Sequence, residues 1–196
     1  DIVKALNKAL WGSPENFIAP LNETPVSGKK RVMTTGGYYT YLKIAEGCDK
    51  HCTYCVIPKV RGSYRSVPVD TLLQEAEELV SKGVKELILV DQEITLYGMD
   101  LYGRKALPEL ITGLCRIEGL CWMRLLYCYP EEITDELIQV IKKEEKVCHY
   151  LDIPVQSGSD AVLKRMGRKT DTAQIKAIVS KLRREIPDIC IRPTLI

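Results

Sequence analysis

The chain has 196 residues, 45% hydrophobic and 28% charged, the balance of an ordinary globular protein able to bury one sizeable core. A net charge of +2 offers no broad basic field for nucleic acid, and no apolar run approaches the ~20 residues of a membrane span. Eight cysteines in a chain of this length and patterning are not needed as disulfide staples, and no secretory signal opens it, so a reduced, cytoplasmic setting is expected.

Residues 1–10 place Ile2, Val3, Leu6 and Leu10 at helical spacing. Residues 11–37, with Pro14, Pro20 and Pro25, read as a linker or irregular lead-in. Residues 38–45 are β-rich and form a first strand, followed by a cysteine-bearing loop. Pro68 and Asp70 open a helix with Leu72, Leu73, Ala76, Leu79 and Val80 on one face, and Gly83 stops it. Residues 84–90 form a nearly continuous apolar run, the mark of a buried strand. Pro108 lies in the first turn of a helix whose inner face is Leu107, Leu110, Ile111, Leu114 and Cys115. Residues 120–126 are a third strand, and Thr134 caps a helix carrying Leu137, Ile138 and Ile141. Residues 148–155 are a fourth strand. Helices over 159–166 and 171–185 follow, Pro187 ends the second, and 189–196 are a fifth strand.

Strands thus recur about 35 residues apart with helices between them, which implies an α/β fold with a parallel sheet, wound open or rolled into a barrel. Five strands do not close a barrel of eight, so an open or partial (β/α) barrel, truncated after about five strands, is expected. In either form ligands gather at the carboxyl ends of the strands. The loop after the first strand carries the sharpest signal, Gly47-Cys48-Asp49-Lys50-His51-Cys52-Thr53-Tyr54-Cys55, with cysteines at C-x3-C-x2-C spacing. Cys48, Cys52 and Cys55 suit three corners of an iron–sulfur cluster, leaving one iron without a protein ligand. The competing metal reading, zinc with His51 as fourth ligand, has an unusual spacing. Cys115, Cys121, Cys128, Cys148 and Cys190 fit apolar patterns and read as small buried hydrophobes.

At the other strand tips stand Asp91-Gln92-Glu93, Tyr127-Cys128-Tyr129-Pro130 and Gln156-Ser157-Gly158-Ser159. Gln92, Glu93 and Gln156 suit the ammonium and carboxylate of an amino-acid-like ligand, or are ordinary loop polars. The Gly/Ser turn offers backbone N–H groups to an anion, or its serines simply cap a helix. Within the strands, Asp152 is expected in a structural ion pair with Arg124, and Arg192 is open between structure and site. The clusters Lys29-Lys30-Arg31 and Arg183-Arg184 read as solvated faces.

The three-cysteine loop after the first strand, with Tyr54 before its last cysteine, resembles the radical SAM superfamily. The resemblance implies a 4Fe-4S cluster on Cys48, Cys52 and Cys55, with S-adenosyl-L-methionine bound at the open iron. An electron from the cluster would cleave it to methionine and a 5′-deoxyadenosyl radical that abstracts a substrate hydrogen. Tyr54 would contact the adenine, and Gln92, Gln156, Ser157 and Arg168 are candidate S-adenosylmethionine contacts. Ile57-Pro58, Arg61-Gly62 and Arg65-Ser66 extend the likeness to the methylthiotransferase branch over 41–196. Residues 97–103 (Tyr-Gly-Met-Asp-Leu-Tyr-Gly), 107–110 and 124–130 resemble the ribosomal-protein (RimO) type. That type methylthiolates the β-carbon of an aspartyl residue in a small-subunit ribosomal protein. Gln156 to Asp160 read closer to the tRNA-modifying (MiaB) type, which is the alternative; a non-enzymatic iron–sulfur or zinc module is another. The resemblance further implies an electron donor such as flavodoxin or ferredoxin, and no membrane partner. It makes 1–34 the tail of an upstream domain and linker, and 35–196 the radical SAM core. A second cluster would then belong to that upstream domain, and a C-terminal TRAM barrel would lie beyond residue 196.

Overall fold

A computed structural model describes residues 2–12, 15–18, 20–23 and 36–196; Pro14, Pro25 and the run Lys29-Lys30-Arg31 lie outside the described residues. The chain runs α1 (Ile2–Trp11), β1 (Tyr39–Lys43), β2 (Ala45–Glu46), α2 (Ile57–Arg61), β3 (Arg65–Ser66), α3 (Val69–Ser81), β4 (Glu86–Val90) and α4 (Met99–Tyr102). It continues with α5 (Leu107–Cys115), β5 (Trp122–Leu125), α6 (Asp135–Lys143), β6 (Val147–Gln156), α7 (Asp160–Arg165), α8 (Thr172–Glu185) and β7 (Cys190–Leu195).

Each expected strand and helix appears, mostly trimmed at its ends, although β6 runs one residue further at each end and the first strand breaks into β1 and β2. Helix α3 stops where Gly83, at φ 101°, lets its own amide reach Val80 O (2.9 Å) and the Val84 amide reach Leu79 O (3.2 Å), the Schellman closure. Thr134 caps α6 by accepting from the Leu137 amide at 3.2 Å. Asp171 and Gln174 form a reciprocal capping box on α8. The elements that periodicity did not indicate, β2, β3, α2 and α4, are two to five residues long, too short to carry a period.

Five strands make one parallel sheet in the order β1-β4-β5-β6-β7. Strands therefore join the sheet in the order in which they occur. With right-handed crossovers, such an order puts every connecting helix on one face. The sheet is the wall of a barrel that is not closed. Leu87 and Leu89 of β4, Met123 and Leu125 of β5, and Leu151 and Ile153 of β6 pack with the inner faces of α3, α5 and α6 in one core. Burying each such side chain contributes roughly 1.5–3 kcal/mol. By contrast, Ile2, Leu6, Leu10 and Trp11 of α1 are exposed, so α1 adds nothing to that core.

Two expectations are corrected. Asp152 pairs not with Arg124 but with Arg192, Nη1 to Oδ2 3.2 Å, because β6 and β7 register Asp152 opposite Arg192. A register shift between β5 and β6 instead sets Arg124 over the Tyr150 ring, and its Nε meets Glu86 of β4 at 2.8 Å. The cysteines also divide. Cys115 and Cys128 are buried and Cys148 is half-buried, but Cys121 and Cys190 are exposed. Cys121 precedes β5, and Cys190 opens the edge strand β7, where few side chains are covered.

Candidate metal centre

All five parallel strands point their carboxyl ends the same way, so the tips of β1, β4, β5 and β6 converge on the cysteine loop. Gly47 turns the chain out of β2 at φ 85°. A Cβ there would lie 2.1 Å from Ser63 O and 2.6 Å from Gly62 O, so only glycine fits. The loop is then held from several sides. Gln92, at the tip of β4, accepts from the Gly47 amide at 2.9 Å. The Cys48 amide donates to Gly62 O at 3.2 Å, and Asp49 accepts from the Tyr64 amide at 3.3 Å. The Thr53 amide and hydroxyl donate to Met166 O and Arg165 O, both at 3.0 Å. His51, at φ 51°, is strained and exposed.

Lys50 points the other way. Its ammonium is buried among Glu132 (2.5 Å), Glu131 (3.4 Å) and Glu93 (3.8 Å), and lies 5.0 Å from the Tyr129 ring centre. Burial disfavours its charge, yet these carboxylates more than offset that and hold its pKa above the ordinary lysine value. Glu93 is fully buried, with Oε1 bonded to Thr95 and Oε2 within ion-pair reach of Lys50 but without a hydrogen bond. Burial pushes its carboxyl up to about 8 against the pull of Thr95 and Lys50. Burial likewise raises Asp91 to about 7, although the Gln92 and Glu93 amides favour its anion. Neither Asp91 oxygen has a hydrogen bond of good geometry.

Cys48 and Cys52 are 6% and 7% exposed, Cys55 is half-buried, and all three are free thiols. Burial pushes the Cys48 thiol up to about 11, a shift that metal ligation would reverse, since ligation requires thiolate. Among the described residues no three Cys, His, Asp or Glu side chains converge as a single-ion site. Three thiolates that each take a different iron of a cluster stand farther apart than three on one ion. As a donor set, three soft thiols are of the kind that holds an iron–sulfur cluster. His51 is turned to solvent while Cys48 and Cys52 face inward, which does not favour zinc with His51 as a fourth ligand.

The other expected site residues gather here unevenly. Tyr54 stands beside the thiols, half exposed. Gln156 is buried at the tip of β6 at φ 70°, with its side-chain oxygen unpartnered. Ser157 Oγ accepts from the Ser159 amide at 3.4 Å, and α7 has no side-chain cap. Arg168 is buried, its Nη2 donating to Pro154 O at 2.9 Å and its Nε unpartnered. Buried polar atoms without partners are costly, and those of Asp91, Gln156, Arg168 and Thr170 all belong to the strand-tip end of the fold. Sequence reasoning did not foresee the anchoring roles of Lys50 and Tyr64; a lysine inside a cysteine loop and a tyrosine in the short connection after it carry no periodic signal.

Residues 42–196 match the model of the radical SAM superfamily. The chain is 56% identical over 195 residues to the ribosomal protein uS12 methylthiotransferase RimO of Lachnoclostridium phytofermentans, covering 100% of this chain and 44% of that protein. It is 50% identical over 191 residues to the protein of the same name from Alkaliphilus oremlandii, covering 96% of this chain and 44% of that one. The chain thus spans under half the length of these curated relatives. Among solved structures, the cobalamin-dependent S-adenosylmethionine radical enzyme OxsB superposes with a TM-score of 0.61 at 20% identity, over 80% of this chain and 23% of that one. The radical S-adenosylmethionine methyltransferase TsrM from Kitasatospora setae gives 0.61 at 17% identity, over 79% of this chain and 30% of that one. At such identities these two bear on the fold alone.

Proposed function

The chain belongs to the radical SAM superfamily, and on that premise we propose that it is the central catalytic segment of a ribosomal protein uS12 methylthiotransferase. Its reaction would place a methylthio group on the β-carbon of an aspartyl residue of that protein. The observation that carries this reading is 56% identity over 195 residues to a relative bearing that name. The tRNA-modifying alternative is not favoured by these relatives.

Membership of the superfamily implies a 4Fe-4S cluster and S-adenosyl-L-methionine. We assign the cluster to Cys48, Cys52 and Cys55. When bound, it supplies the electron that splits S-adenosylmethionine and so starts hydrogen abstraction from the substrate. The chain's own residues bind, orient and exclude water. Gln92 and Lys50 fix the loop against the tips of β4 and β5, and Asp49 fixes it against the residues ahead of β3. Tyr64, Tyr129 and the buried faces of Cys48 and Cys52 keep water from the inner side. For S-adenosylmethionine, Tyr54 offers an exposed ring to the adenine. Gln156, Ser157, the free amide nitrogen of Gln92 and Arg168 supply polar atoms at the strand tips.

Residues 1–34 read as the tail of an upstream domain and linker, and 35–196 as the radical SAM core, with a second cluster outside this chain. An electron donor such as flavodoxin or ferredoxin would serve it. Among the described residues no helix is long and apolar enough to cross a membrane, and a cytoplasmic location suits a protein that modifies ribosomes. Anaerobic reconstitution with iron and sulfide, then reduction with S-adenosylmethionine present, tests the reading. It expects 5′-deoxyadenosine; a stable zinc protein that leaves S-adenosylmethionine intact would sink it.

A further inference from the structure

We propose that Arg168 is a positioning residue that raises the reduction potential of the cluster through a hydrogen bond to the Cys52 sulfur. The inference rests on the reading of Cys48, Cys52 and Cys55 as cluster ligands. Arg168 Nη1 lies 3.9 Å from Cys52 Sγ, within reach of a hydrogen bond to sulfur.

That geometry is built in. The guanidinium lies 4.2 Å from the Tyr129 ring centre, and its Nη2 is tied to Pro154 O at 2.9 Å, so its rotation is fixed on two sides. The backbone that carries it is fixed as well, since the Arg168 amide donates to Leu163 O at 3.0 Å. The turn before it is docked on the cysteine loop through the two Thr53 bonds to Met166 O and Arg165 O. Gly167, at φ 72°, sits directly under the loop; a Cβ there would be 3.4 Å from Thr53 Cγ2 and 3.6 Å from His51 O. Cys52 and Arg168, 116 residues apart in sequence, are thus held together by contacts that do not involve the thiol itself.

Arginine is a donor only and is always charged. A reduced cluster carries one more negative charge than an oxidised one, spread over iron and sulfur. A buried cation donating to a ligand sulfur therefore stabilises the reduced state more than the oxidised state. Arg168 is 8% exposed, so water screens this effect little. The orientation also separates two roles. Two of its three nitrogens face Pro154 and Cys52, which leaves Nε as the one not already engaged.

The test is a redox titration of the reconstituted protein, free of S-adenosylmethionine and followed by electron paramagnetic resonance. Arg168→Gln should retain its iron and shift to a more negative midpoint, by about ten-fold in the reduction equilibrium, equivalent to about 59 mV for one electron. Arg168→Lys should fall between, and Tyr129→Leu, which loosens the guanidinium, should shift the same way by less. An Arg168→Gln midpoint equal to wild type overturns the inference, whether or not S-adenosylmethionine affinity falls. If Arg168→Gln takes up no iron, a wild-type midpoint in Arg168→Lys or Tyr129→Leu overturns it instead. A wild-type protein that assembles no 4Fe-4S cluster overturns the reading of the cysteines itself.

Discussion

The side-chain oxygen of Gln92 accepts a hydrogen bond from the Gly47 amide at 2.9 Å, so the tip of β4 grips the first residue of the cysteine loop. Gln92→Leu keeps the bulk and leaves that amide without a partner, at a cost of about 1–2 kcal/mol. Thermal unfolding should report the loss, and reconstituted protein should release iron faster than wild type. Unchanged iron retention would mean the bond does not hold the loop.

Gly47 and Gly83 both adopt left-handed backbone, at φ 85° and 101°, but differ in space. Gly83→Ala meets nothing within 4 Å and should lose only the roughly 1–2 kcal/mol of the conformation. Gly47→Ala adds a collision with Ser63 O at 2.1 Å and must displace the loop. Iron content after reconstitution should fall for Gly47→Ala and hold for Gly83→Ala.

Alanine at Cys48, Cys52 or Cys55 should each abolish the visible absorption of the cluster. Cys115→Ala and Cys128→Ala should keep it and cost about 1 kcal/mol of stability, as a small cavity in the core does. Iron lost in Cys128→Ala would put a fourth ligand at the tip of β5.

Lys50→Met removes the cation shared by Glu93, Glu131 and Glu132 and leaves Lys105, 2.8 Å from Glu132, to neutralise them in part. Breaking such a buried set costs roughly 3–5 kcal/mol near neutral pH. Lys50→Arg should recover part of it. The Lys50→Met deficit should shrink as the pH is lowered and the carboxylates protonate; a deficit independent of pH would assign the loss to packing.

Burial raises the Asp91 carboxyl to about 7 and that of Glu93 to about 8, above their unfolded values. Between the unfolded and folded pKa values the native state holds more protons than the unfolded chain, so stability falls as pH rises. Their contribution is complete below the unfolded carboxylate range and is lost as pH climbs through about 7 to 8. Asp91→Asn should flatten the slope of unfolding free energy against pH between the unfolded carboxylate range and about 7. An equal or steeper slope would show that Asp91 ionises freely in the folded protein.

Much of the architecture was legible along the chain, because apolar spacing and caps act locally. Gly83 and Thr134 mark ends that depend only on the next few residues, and the inner face of α5 is buried as its spacing required. The cysteine spacing and the loop's place after the first strand likewise needed no tertiary information. Pairings across the sheet were not legible. Asp152 takes Arg192 rather than Arg124 because of a register shift between β5 and β6, and register depends on packing summed over whole strands. Cys190 is exposed because β7 lies at the sheet's edge, and Cys121 because it lies ahead of β5 rather than within it; no local pattern encodes either.

By itself, then, the sequence supplied the candidate donor set: three thiols at C-x3-C-x2-C spacing with one aromatic residue before the last. The tertiary structure decided what surrounds them. It brought Lys50 against acids from the loops after β4 and β5, and Gln92 to the Gly47 amide. It also set Arg168, far away in the chain, beside the Cys52 sulfur. The physical reason is range: backbone preference and ligand spacing act over a few residues, whereas charge and hydrogen bonding act through whatever space the fold makes short.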